Sequence, residues 1–551
     1  MIRLFSSRRR PLIRPALGCL FSIALLSLPA SAFAANQSGW LMGGQNFGNT
    51  RSQVEQTKLS PSTAPSLAVK WMQQLHGDIS ATPAVVGGVV YVPDWGQFAP
   101  YPGYGSPNTT STGGYLTAMD EKSGAIIWQR RIDSYAGEPQ GAVSRTSPAV
   151  VDGVVYIGDE NGAHLLAIDA KSGTLLWNTK INPHPLAVIT QSPMVYGGVV
   201  YVGAASTEEG AAANPNYQCC TFRGSFSAVN ATTGQPLWTF YTIPAPNTGN
   251  PADGYSGGAV WGSTPAIDPQ SKTVFITTGN NYTVPACVLD GSCSVDPNDH
   301  FDSILALDMT TGSLKWAKAG WTPSDAWTVG CISTGANCPD GHGPDYDFGS
   351  GPNLFTAQNP DGSQSLVVGA GQKAGLYWLL NAADGSVRWV TQVGVGSSLG
   401  GIEWGTATDG SRIYVESSNV SVPNGSDGKP HGVFAALDVA TGHILWQVQD
   451  PTSTIEVQQP DGSYATKSAY DLGPVSVSNG VMFVSSLSGW MYALDASNGN
   501  ILWQDQAAGG ASVNAGPAID RDGSLYWGTG YSHLGFGNPG TMFYAFSING
   551  K

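Results

Sequence analysis

Short stretches of alternating apolar and polar residues recur along the chain, separated by turns rich in Asp, Asn and Gly. A clear example is Ala118-Met-Asp-Glu-Lys-Ser-Gly-Ala-Ile-Ile-Trp128, where an apolar strand leads through an Asp-to-Gly turn into a strand that ends in Trp. Alternation with period two on both sides of such a turn predicts a β-hairpin. A second hairpin precedes most copies, so each repeat predicts four antiparallel strands.

The motif recurs often enough to predict the whole fold. The complete copies end at Trp128, Trp177, Trp238, Trp316, Trp389, Trp446 and Trp503. An eighth copy starts at Ala545 and lacks its Trp, which Trp71 near the other end of the chain can supply. Repeats of this kind predict a β-propeller, and pairing of the terminal strands would close the ring and protect its edges. We therefore predict an all-β fold, a single eight-bladed propeller over residues 35–551, with the Trp side chains wedged between blades.

The first 34 residues have the pattern of an export signal. A basic stretch up to Arg14 precedes an apolar run over residues 16–28, and small residues follow at positions 32–34. This order predicts a cleaved leader, residues 1–34, and a mature chain that starts at Ala35. The apolar run is too short for an ordinary membrane span. We expect a periplasmic protein without a membrane span, and residues 8–10, all Arg, leave general and twin-arginine export open.

The charge indicates which classes of molecule the protein can bind, and the cysteines indicate disulfides. The net charge is −14, and because the leader carries five Arg and no acid, the rest of the chain is near −19. Such an acidic protein is a poor partner for nucleic acid or an anionic membrane. Six of the seven cysteines form close pairs, as expected for disulfides in an oxidising compartment. The pairs are Cys219/Cys220, Cys287/Cys293 and Cys331/Cys338. The sequence holds no Cys-x-x-Cys-His motif, so we expect no covalent c-type haem.

The repeat, together with residues 40–51 (Trp-Leu-Met-Gly-Gly-Gln-Asn-Phe-Gly-Asn-Thr-Arg), resembles the pyrroloquinoline quinone (PQQ) dehydrogenases. Three further segments are most similar to the polyvinyl alcohol dehydrogenases of that family. They are residues 219–224 (Cys-Cys-Thr-Phe-Arg-Gly), 371–375 (Gly-Gln-Lys-Ala-Gly) and 400–405 (Gly-Gly-Ile-Glu-Trp-Gly). The resemblance covers essentially the whole mature chain. It implies a quinoprotein alcohol dehydrogenase with PQQ and Ca2+ as cofactors.

The resemblance also implies a carboxylate base in a loop after the fourth repeat. The segment Asp325-Ala-Trp-Thr328 carries Thr where the family has Asp, so we assign the base to Asp347 in Pro344-Asp-Tyr-Asp-Phe-Gly349. Asp345 is the alternative base, and a structural role in the loop is the alternative for Asp347. Lys373 matches the basic residue that contacts the quinone in the family, where it would steady developing negative charge.

Calcium prefers oxygen ligands, which the family takes from a Glu, an Asn and the catalytic Asp. The corresponding candidates are Glu208 or Glu209, Asn280 and Asp347. A solvated loop pair is the alternative for the two Glu residues, and a left-handed turn is the alternative for Asn280. The family's lanthanide-associated Asp, two residues after the base, corresponds to Gly349, which favours Ca2+ here.

Several other residues match the family's quinone-binding positions. Trp261 matches the ring-stacking Trp, and Thr190 matches a hydroxyl contact. Because PQQ carries three carboxylates, its pocket needs local cations, for which Arg145 and Arg223 are candidates beside Lys373. The neighbours Cys219 and Cys220 resemble the vicinal disulfide that covers the quinone in relatives, although here the pair lies in a later blade, where shaping the entrance is the alternative.

These assignments predict a periplasmic dehydrogenase that oxidises secondary alcohols, including polymeric ones such as polyvinyl alcohol. Since the chain lacks a haem motif, a separate cytochrome c would accept the electrons. A non-catalytic propeller that acts as a scaffold for other proteins is the main alternative. A polymer- or sugar-binding protein without redox chemistry is a further one.

Overall fold

The computed structural model describes residues 39–96, 112–245, 254–359, 361–459, 462–532 and 535–551. The predicted leader, residues 1–34, and the boundary at Ala35 lie outside the described residues. Nearly all regular structure in the described part is β-strand, and none of its helices is long and apolar enough to cross a membrane.

The strands are short and are numbered in chain order. In the first half of the chain they are β1 (Gly39–Trp40), β2 (Leu67–Gln74), β3 (Ala84–Val86), β4 (Val89–Asp94), β5 (Tyr115–Asp120), β6 (Ile126–Arg131), β7 (Ala149–Val151), β8 (Val154–Gly158), β9 (His164–Asp169), β10 (Leu175–Lys180), β11 (Ala187–Val188), β12 (Met194–Tyr196), β13 (Val199–Ser206), β14 (Ser225–Asn230), β15 (Pro236–Tyr241), β16 (Ser256–Gly257), β17 (Ala266–Asp268), β18 (Thr273–Thr277) and β19 (Asn281–Thr283). In the second half they are β20 (Ser303–Asp308), β21 (Leu314–Ala319), β22 (Asn353–Gln358), β23 (Gln364–Gly371), β24 (Leu376–Asn381), β25 (Val387–Gln392), β26 (Ala407–Thr408), β27 (Arg412–Ser417), β28 (Val433–Asp438), β29 (Ile444–Gln449), β30 (Thr454–Gln458), β31 (Tyr464–Ser468), β32 (Ser476–Ser478), β33 (Val481–Ser485), β34 (Trp490–Asp495), β35 (Ile501–Gln506), β36 (Ala518–Ile519), β37 (Leu525–Gly528) and β38 (Met542–Ile548). The helices are α1 (Glu208–Ala211), α2 (Ala286–Leu289) and the 3-10 turns Ala64–Ser66, Ile132–Ser134, Val329–Ile332 and Ala508–Gly510.

Eight antiparallel sheets, each with four main strands, form the blades of the propeller. Blades 1 to 4 are β3–β6 with β1 at the edge, β7–β10, β12–β15 with β11 paired to β13, and β17-β18-β20-β21. Blades 5 to 8 are β22–β25, β26–β29, β32–β35 and β36-β37-β38-β2. The first strands of neighbouring blades contact one another, for example β3 with β7 and β32 with β36, so they surround the central axis. The predicted eight-bladed propeller is confirmed.

Blade 8 joins the two ends of the described chain. Strand β2 pairs antiparallel with β38, from Leu67 opposite Ile548 to Gln74 opposite Met542. The Trp missing from the eighth copy of the motif is thus supplied by Trp71, as predicted. Because β2 and β38 belong to the same chain, blade 8 is completed without a strand from another molecule.

Each part of the repeated motif has a physical role, as the turn at Asp120 illustrates. The carboxylate of Asp120 accepts the N–H groups of Lys122 and Ser123 at 3.2 and 2.9 Å, which folds the turn. Gly124 follows with φ 72°, a left-handed conformation that favours glycine. The ring of Trp71 lies on this turn, because a Cβ on Gly124 would be only 2.6 Å from Trp71 Cε3. The glycine therefore serves both the turn and the contact between blades.

Seven of the eight motif Trp side chains make the same hydrogen bond to the following blade. Each indole N–H donates to the carbonyl after the Asp or Asn of that blade's turn, at 2.9–3.1 Å. These are Trp71, Trp128, Trp177, Trp238, Trp316, Trp389 and Trp446.

The eighth, Trp503, differs from the others because the turn of the next blade begins one residue later. Ser547 stands where the other copies have Asp or Asn, and β38 continues through Ile548 before it turns at Asn549 and Gly550. Within the described residues the Trp503 indole has no hydrogen-bond acceptor, and its ring contacts Phe546 edge-on with centroids 5.0 Å apart. The interface between blades 7 and 8 is therefore held by ring packing.

Candidate active site

Strand direction puts two kinds of connection on one face of the ring. In an antiparallel sheet, the connection that enters the first strand and the one that joins the second and third strands lie at the same end. The Asp-to-Gly turns between third and fourth strands lie at the opposite end. We call the first of these faces the site face, because all the candidate functional side chains lie on its connections.

Two aspartates and a lysine meet on the site face between blades 4 and 5. Lys373 Nζ lies 3.0 Å from Asp345 Oδ1 and 3.1 Å from Asp347 Oδ2. All three side chains are buried. Asp345 and Asp347 lie on the connection between β21 and β22, and Lys373 lies between β23 and β24. The structure thus brings together the three residues that the sequence analysis singled out for catalysis.

The carboxylate of Asp347 is held by two further donors. The backbone N–H of Asn280 donates to Oδ1 at 2.6 Å, and the indole N–H of Trp261 donates to Oδ2 at 2.9 Å. A Cβ on Gly279 would lie 2.9 Å from Trp261 Nε1 and 3.0 Å from Asp347 Cγ, so only glycine leaves room for this approach. Asp347 is consequently fixed in orientation, with one face of its carboxylate directed at Lys373.

Asp345 lies in a segment that Asp325 holds in place. The carboxylate of Asp325 accepts the N–H of Asp345 at 2.8 Å and the N–H of Tyr346 at 2.6 Å. Asp345 itself has φ 63°, which is uncommon for a residue with a side chain. Asp325 belongs to the segment set aside in the sequence analysis because it lacks the family's Asp at Thr328. Its position shows that it supports the loop that carries both aspartates.

The two candidate glutamates differ in their surroundings. The carboxylate of Glu208 accepts the N–H of Thr221 at 2.9 and 3.0 Å and that of Phe222 at 2.7 Å. The hydroxyl of Tyr217 donates to the same carboxylate at 2.8 Å. The three backbone N–H contacts and the Tyr217 hydroxyl tie the Glu208 carboxylate to its own loop. Glu208 therefore serves to fold the 208–222 loop.

Glu209 turns towards the aspartates. Its Oε1 atom is buried and has no hydrogen-bond partner within the described residues. Burial raises the pKa of Glu209 to about 8; Lys373 opposes this rise and Asp347 adds to it. An unpartnered buried carboxylate oxygen beside other acids is the kind of donor that a hard cation binds.

Asn280 lies beside Asp347, whose carboxylate accepts its backbone N–H at 2.6 Å. Its amide nitrogen donates to the backbone oxygens of Asn281 at 2.9 Å and Trp327 at 3.0 Å. Both amide hydrogens are thereby used, which leaves Oδ1 as the available polar atom of the side chain.

Negative charge exceeds positive charge in this cluster. Burial lowers the pKa of Lys373, but Asp345, Asp347 and Glu209 outweigh that effect and raise it well above its ordinary value. Burial raises the pKa of nearby Glu403 to about 7, against the attraction of Lys373. One lysine therefore faces more carboxylates than it can neutralise. These residues fit a divalent cation held by Glu209, Asn280 and Asp347.

A cavity near the propeller axis adjoins the cluster. Its polar lining includes Arg145 and Thr190, both predicted cofactor contacts, as well as Arg51, Trp404 and Asn514. Thr190 Oγ1 and Asn514 Oδ1 are buried there without hydrogen-bond partners in the described residues. Arg145 and several hydroxyl groups in the lining are the kind of groups that bind a ligand with carboxylates such as PQQ, whereas the Arg51 guanidinium donates to Val475, Thr82 and Ser476.

Aromatic rings connect this cavity with the carboxylate cluster. The Arg145 guanidinium lies 4.3 Å from the centroid of the Trp404 ring and 2.8 Å from a carboxylate oxygen of Glu160. Trp404 in turn contacts Trp261 edge-on, with centroids 5.0 Å apart. The sequence analysis did not assign Arg51, Glu403 or Trp404 to the site. The signal was nevertheless there, because all three lie in segments that carry the family resemblance.

The vicinal pair Cys219 and Cys220 is disulfide-bonded and packs near the site. Both residues belong to the same apolar cluster as Trp261 and Tyr282. Arg223, in contrast, lies 4.2 Å from the centroid of the Tyr241 ring and donates to the Ile243 oxygen at 2.8 Å. None of these contacts brings Arg223 to the carboxylate cluster.

The other two predicted disulfides, Cys287–Cys293 and Cys331–Cys338, are also present. The second closes a loop that packs on the Glu208–Cys220 segment. Asn337 Nδ2 donates to the oxygens of Ala212 at 3.0 Å and Tyr217 at 3.1 Å. The insertions from two blades thus brace each other beside Glu209.

Comparison with known proteins agrees with this geometry. The family model PQQ_2, described as "Outer membrane protein assembly factor BamB", matches residues 108–292 and 300–535. A polyvinylalcohol dehydrogenase of Sphingopyxis sp. (strain 113P3) is 30% identical over 95% of this chain and 78% of its own length. A second, from Pseudomonas sp., is 31% identical over 93% and 77%.

The crystal structure of quinohemoprotein alcohol dehydrogenase from Comamonas testosteroni has the same fold. It superimposes with a TM-score of 0.68 at 20% identity, over 95% of this chain and 82% of that chain. The chain carries the PQQ_2 repeat and belongs to the family of PQQ-dependent, or quinoprotein, alcohol dehydrogenases, in which it is similar to the polyvinyl alcohol dehydrogenases.

Proposed function

We propose that this protein is a periplasmic quinoprotein dehydrogenase that oxidises secondary alcohols to ketones with PQQ and Ca2+, including polymeric alcohols such as polyvinyl alcohol. A separate cytochrome c accepts the electrons. The observation that carries the proposal is the meeting of Asp345, Asp347 and Lys373 with Glu209 and Asn280, from separate connections of three blades. Relatives named polyvinylalcohol dehydrogenase support the substrate class.

Removing a proton from the alcohol hydroxyl is the first requirement, and Asp347 is placed to accept it. Its carboxylate is held in one orientation by Asn280 and Trp261, as a positioned general base requires. When bound, PQQ would supply the acceptor for the hydride of the alcohol carbon, and Ca2+ would make the quinone carbonyl more electrophilic. Glu209, Asn280 and Asp347 would hold the ion.

Lys373 supports the reaction from a position beside Asp347. Its ammonium group contacts both aspartates and can steady negative charge that develops on the quinone side. Arg145 and Thr190 would bind polar groups of PQQ in the axial cavity, which Trp404 also lines. Trp261 and the Cys219–Cys220 pair would bound the ring of the cofactor.

The test is reconstitution of cofactor-free protein with PQQ and Ca2+. We expect dye reduction with polyvinyl alcohol and small secondary alcohols only when both are added. Asp347→Asn should lower kcat by about 100- to 10,000-fold, the usual contribution of a general base. It should still bind PQQ, seen as quenching of intrinsic fluorescence. Asp361→Asn, an exposed turn residue of blade 5, is the matched control and should be fully active.

The finer parts of the proposal have their own readouts. Cytochrome c reduction replaces the dye assay for the electron acceptor, and the N-terminal sequence of the exported protein should start at Ala35. Failure of PQQ to bind or to support turnover would exclude the dehydrogenase. The non-catalytic scaffold would then remain.

A further inference from the structure

Away from the proposed catalytic residues, three potential ligands meet on the site face of blade 2. They are Glu138, on the connection between blades 1 and 2, Asp159, on the connection between β8 and β9, and His164, the first residue of β9. One ligand atom from each lies within 4.8 Å of the other two. The chain segments that carry them are separate in sequence, so the cluster exists only in the folded protein.

The distances suit a metal ion. His164 Nδ1 lies 3.1 Å from Asp159 Oδ2 and 3.5 Å from Glu138 Oε1. Tetrahedral Zn2+, with bonds of about 2.0–2.1 Å to imidazole nitrogen and carboxylate oxygen, separates neighbouring ligand atoms by about 3.3 Å. The spacing of His164 Nδ1 from Asp159 Oδ2, 3.1 Å, lies just below that value, and its spacing from Glu138 Oε1, 3.5 Å, lies just above it.

The ligands are also held in place. The N–H of His164 donates to Asp159 Oδ1 at 2.6 Å, and Asn178 Nδ2 donates to Glu138 Oε1 at 2.7 Å. Both carboxylate side chains are fully buried, whereas the His164 side chain is 17% exposed. Solvent can therefore reach the cluster past the imidazole, and a water molecule could complete the coordination.

An ion pair alone does not satisfy this arrangement. An imidazolium offers one N–H at Nδ1, which can serve only one of the two carboxylates well. Glu138 Oε2 is buried without a hydrogen-bond partner in the described residues. No Lys or Arg of the described chain forms an ion pair with Glu138 or Asp159. A metal ion held by all three side chains would give both carboxylates a partner.

We propose that Glu138, Asp159 and His164 form a binding site for a divalent transition-metal ion such as Zn2+, distinct from the Ca2+ and PQQ site. The ion would join the connections that carry the cofactor contacts. Glu160, next to Asp159, pairs with Arg145 at 2.8 Å. The backbone carbonyl oxygen of Asp159 accepts the N–H of Ile189, the residue before Thr190, at 2.7 Å. The site would thus stiffen the segments that position Arg145 and Thr190.

The test uses full-length mature protein without PQQ, stripped with a chelator and kept in excess Ca2+ so that the proposed Ca2+ site is filled. Zn2+ is added, loosely bound metal is removed by gel filtration, and retained zinc per chain is measured. We expect one retained zinc, and Co2+ in its place should give the visible absorption of a tetrahedral site. His164→Gln and Glu138→Gln should each weaken retention at least about tenfold.

His443→Gln, which removes an exposed histidine elsewhere, should retain zinc like the wild type. Thermal unfolding without metal checks that each variant folds, and Glu138→Gln keeps the acceptor for Asn178 if His164→Gln proves unstable. Equal retention by wild type and both variants would overturn the proposal. So would the absence of retained metal in the wild type, which would leave an imidazolium ion pair. Neither result depends on PQQ binding.

Discussion

The rim of the propeller and its site face are built on opposite principles. At the rim, seven Trp side chains make the same hydrogen bond to seven equivalent turns. On the site face, Asp347, Lys373 and Glu209 each occur once, on different blades, and each has a different set of contacts. Stability is therefore spread over many similar contacts, whereas the chemistry depends on single residues without a substitute.

The charge distribution differs in the same way. The rim contacts pair neutral groups, an indole N–H with a backbone carbonyl, and bury mostly apolar surface. The site face gathers carboxylates around one lysine at the expense of local stability. A substitution at the rim should cost folding energy and little activity, and a substitution in the site should do the reverse.

The largest effect expected within this comparison concerns the neighbours Glu209 and Glu208. Partners outside the first coordination sphere already change metal affinity by about 10- to 100-fold, so loss of a direct ligand should cost at least about 100-fold. We expect Glu209→Gln to raise the Ca2+ concentration needed for half-maximal activity by that factor, with little change in unfolding without metal.

Glu208→Gln is the matched control one residue away. It should lower the free energy of unfolding by about 1–3 kcal/mol, because it weakens hydrogen bonds from Thr221 and Phe222 to a charged acceptor. The Ca2+ requirement should change less than for Glu209→Gln. Equal Ca2+ effects in both variants would contradict the different roles we assign to them.

At the rim, Trp446 and Trp503 offer a smaller but cleaner contrast. Trp446→Phe should lower the free energy of unfolding by about 1–2 kcal/mol, because the Ala496 oxygen loses its indole donor. Trp503→Phe should cost less, since no acceptor pairs with its indole in the described residues. Urea unfolding of both variants measures the difference. A larger loss for Trp503→Phe would show that the closing interface carries more than ring packing.

The smallest effect concerns Asp471, which lies on the site face with Glu416 and Asp450 but without a lysine. Burial, with Asp450 and Glu416, raises the pKa of Asp471 well above its ordinary value. The folded state then binds more protons than the unfolded state, so stability should fall as the pH rises above the ordinary Asp pKa. Asp471→Asn should reduce this fall and add on the order of 1 kcal/mol near pH 8.

Unfolding measured between pH 5 and pH 8 checks the last prediction. Asp361→Asn, at an exposed turn, should leave the pH dependence unchanged. If Asp471→Asn is less stable than the wild type at every pH, the carboxylate has a partner that compensates its burial.

The repeated Trp contacts could be predicted from the sequence more completely than the site. The Trp, Asp and Gly of the motif act within one hairpin and its neighbour, so their spacing predicted the blades, their number and the closure through Trp71. Only the interface at Trp503 differs, because Ser547 replaces the turn residue there. A repeat is visible in sequence when each copy uses the same local interaction.

The site could be predicted only in part. Asp345, Asp347, Lys373 and Trp261 lie in segments with a family resemblance, and the fold does bring them together. Glu208 and Glu209 could not be separated, because a one-residue shift on the short helix α1 decides which side chain faces the aspartates. Arg223 is predicted near the cofactor from its motif, and in the structure it lies over the ring of Tyr241. Contacts between separate connections, such as Glu138 with His164, leave no regular spacing in the sequence.

The pairing of β2 with β38 also constrains how the molecule is made. During synthesis or export, β2 emerges early and its partner last, so the ring stays open for most of that time. Blade 8 cannot form by local folding, and non-local pairing of this kind is slow. Until it forms, the edges of blades 1 and 7 stay uncovered and can pair with other chains. Correct maturation is thus governed by the arrival of a single late strand.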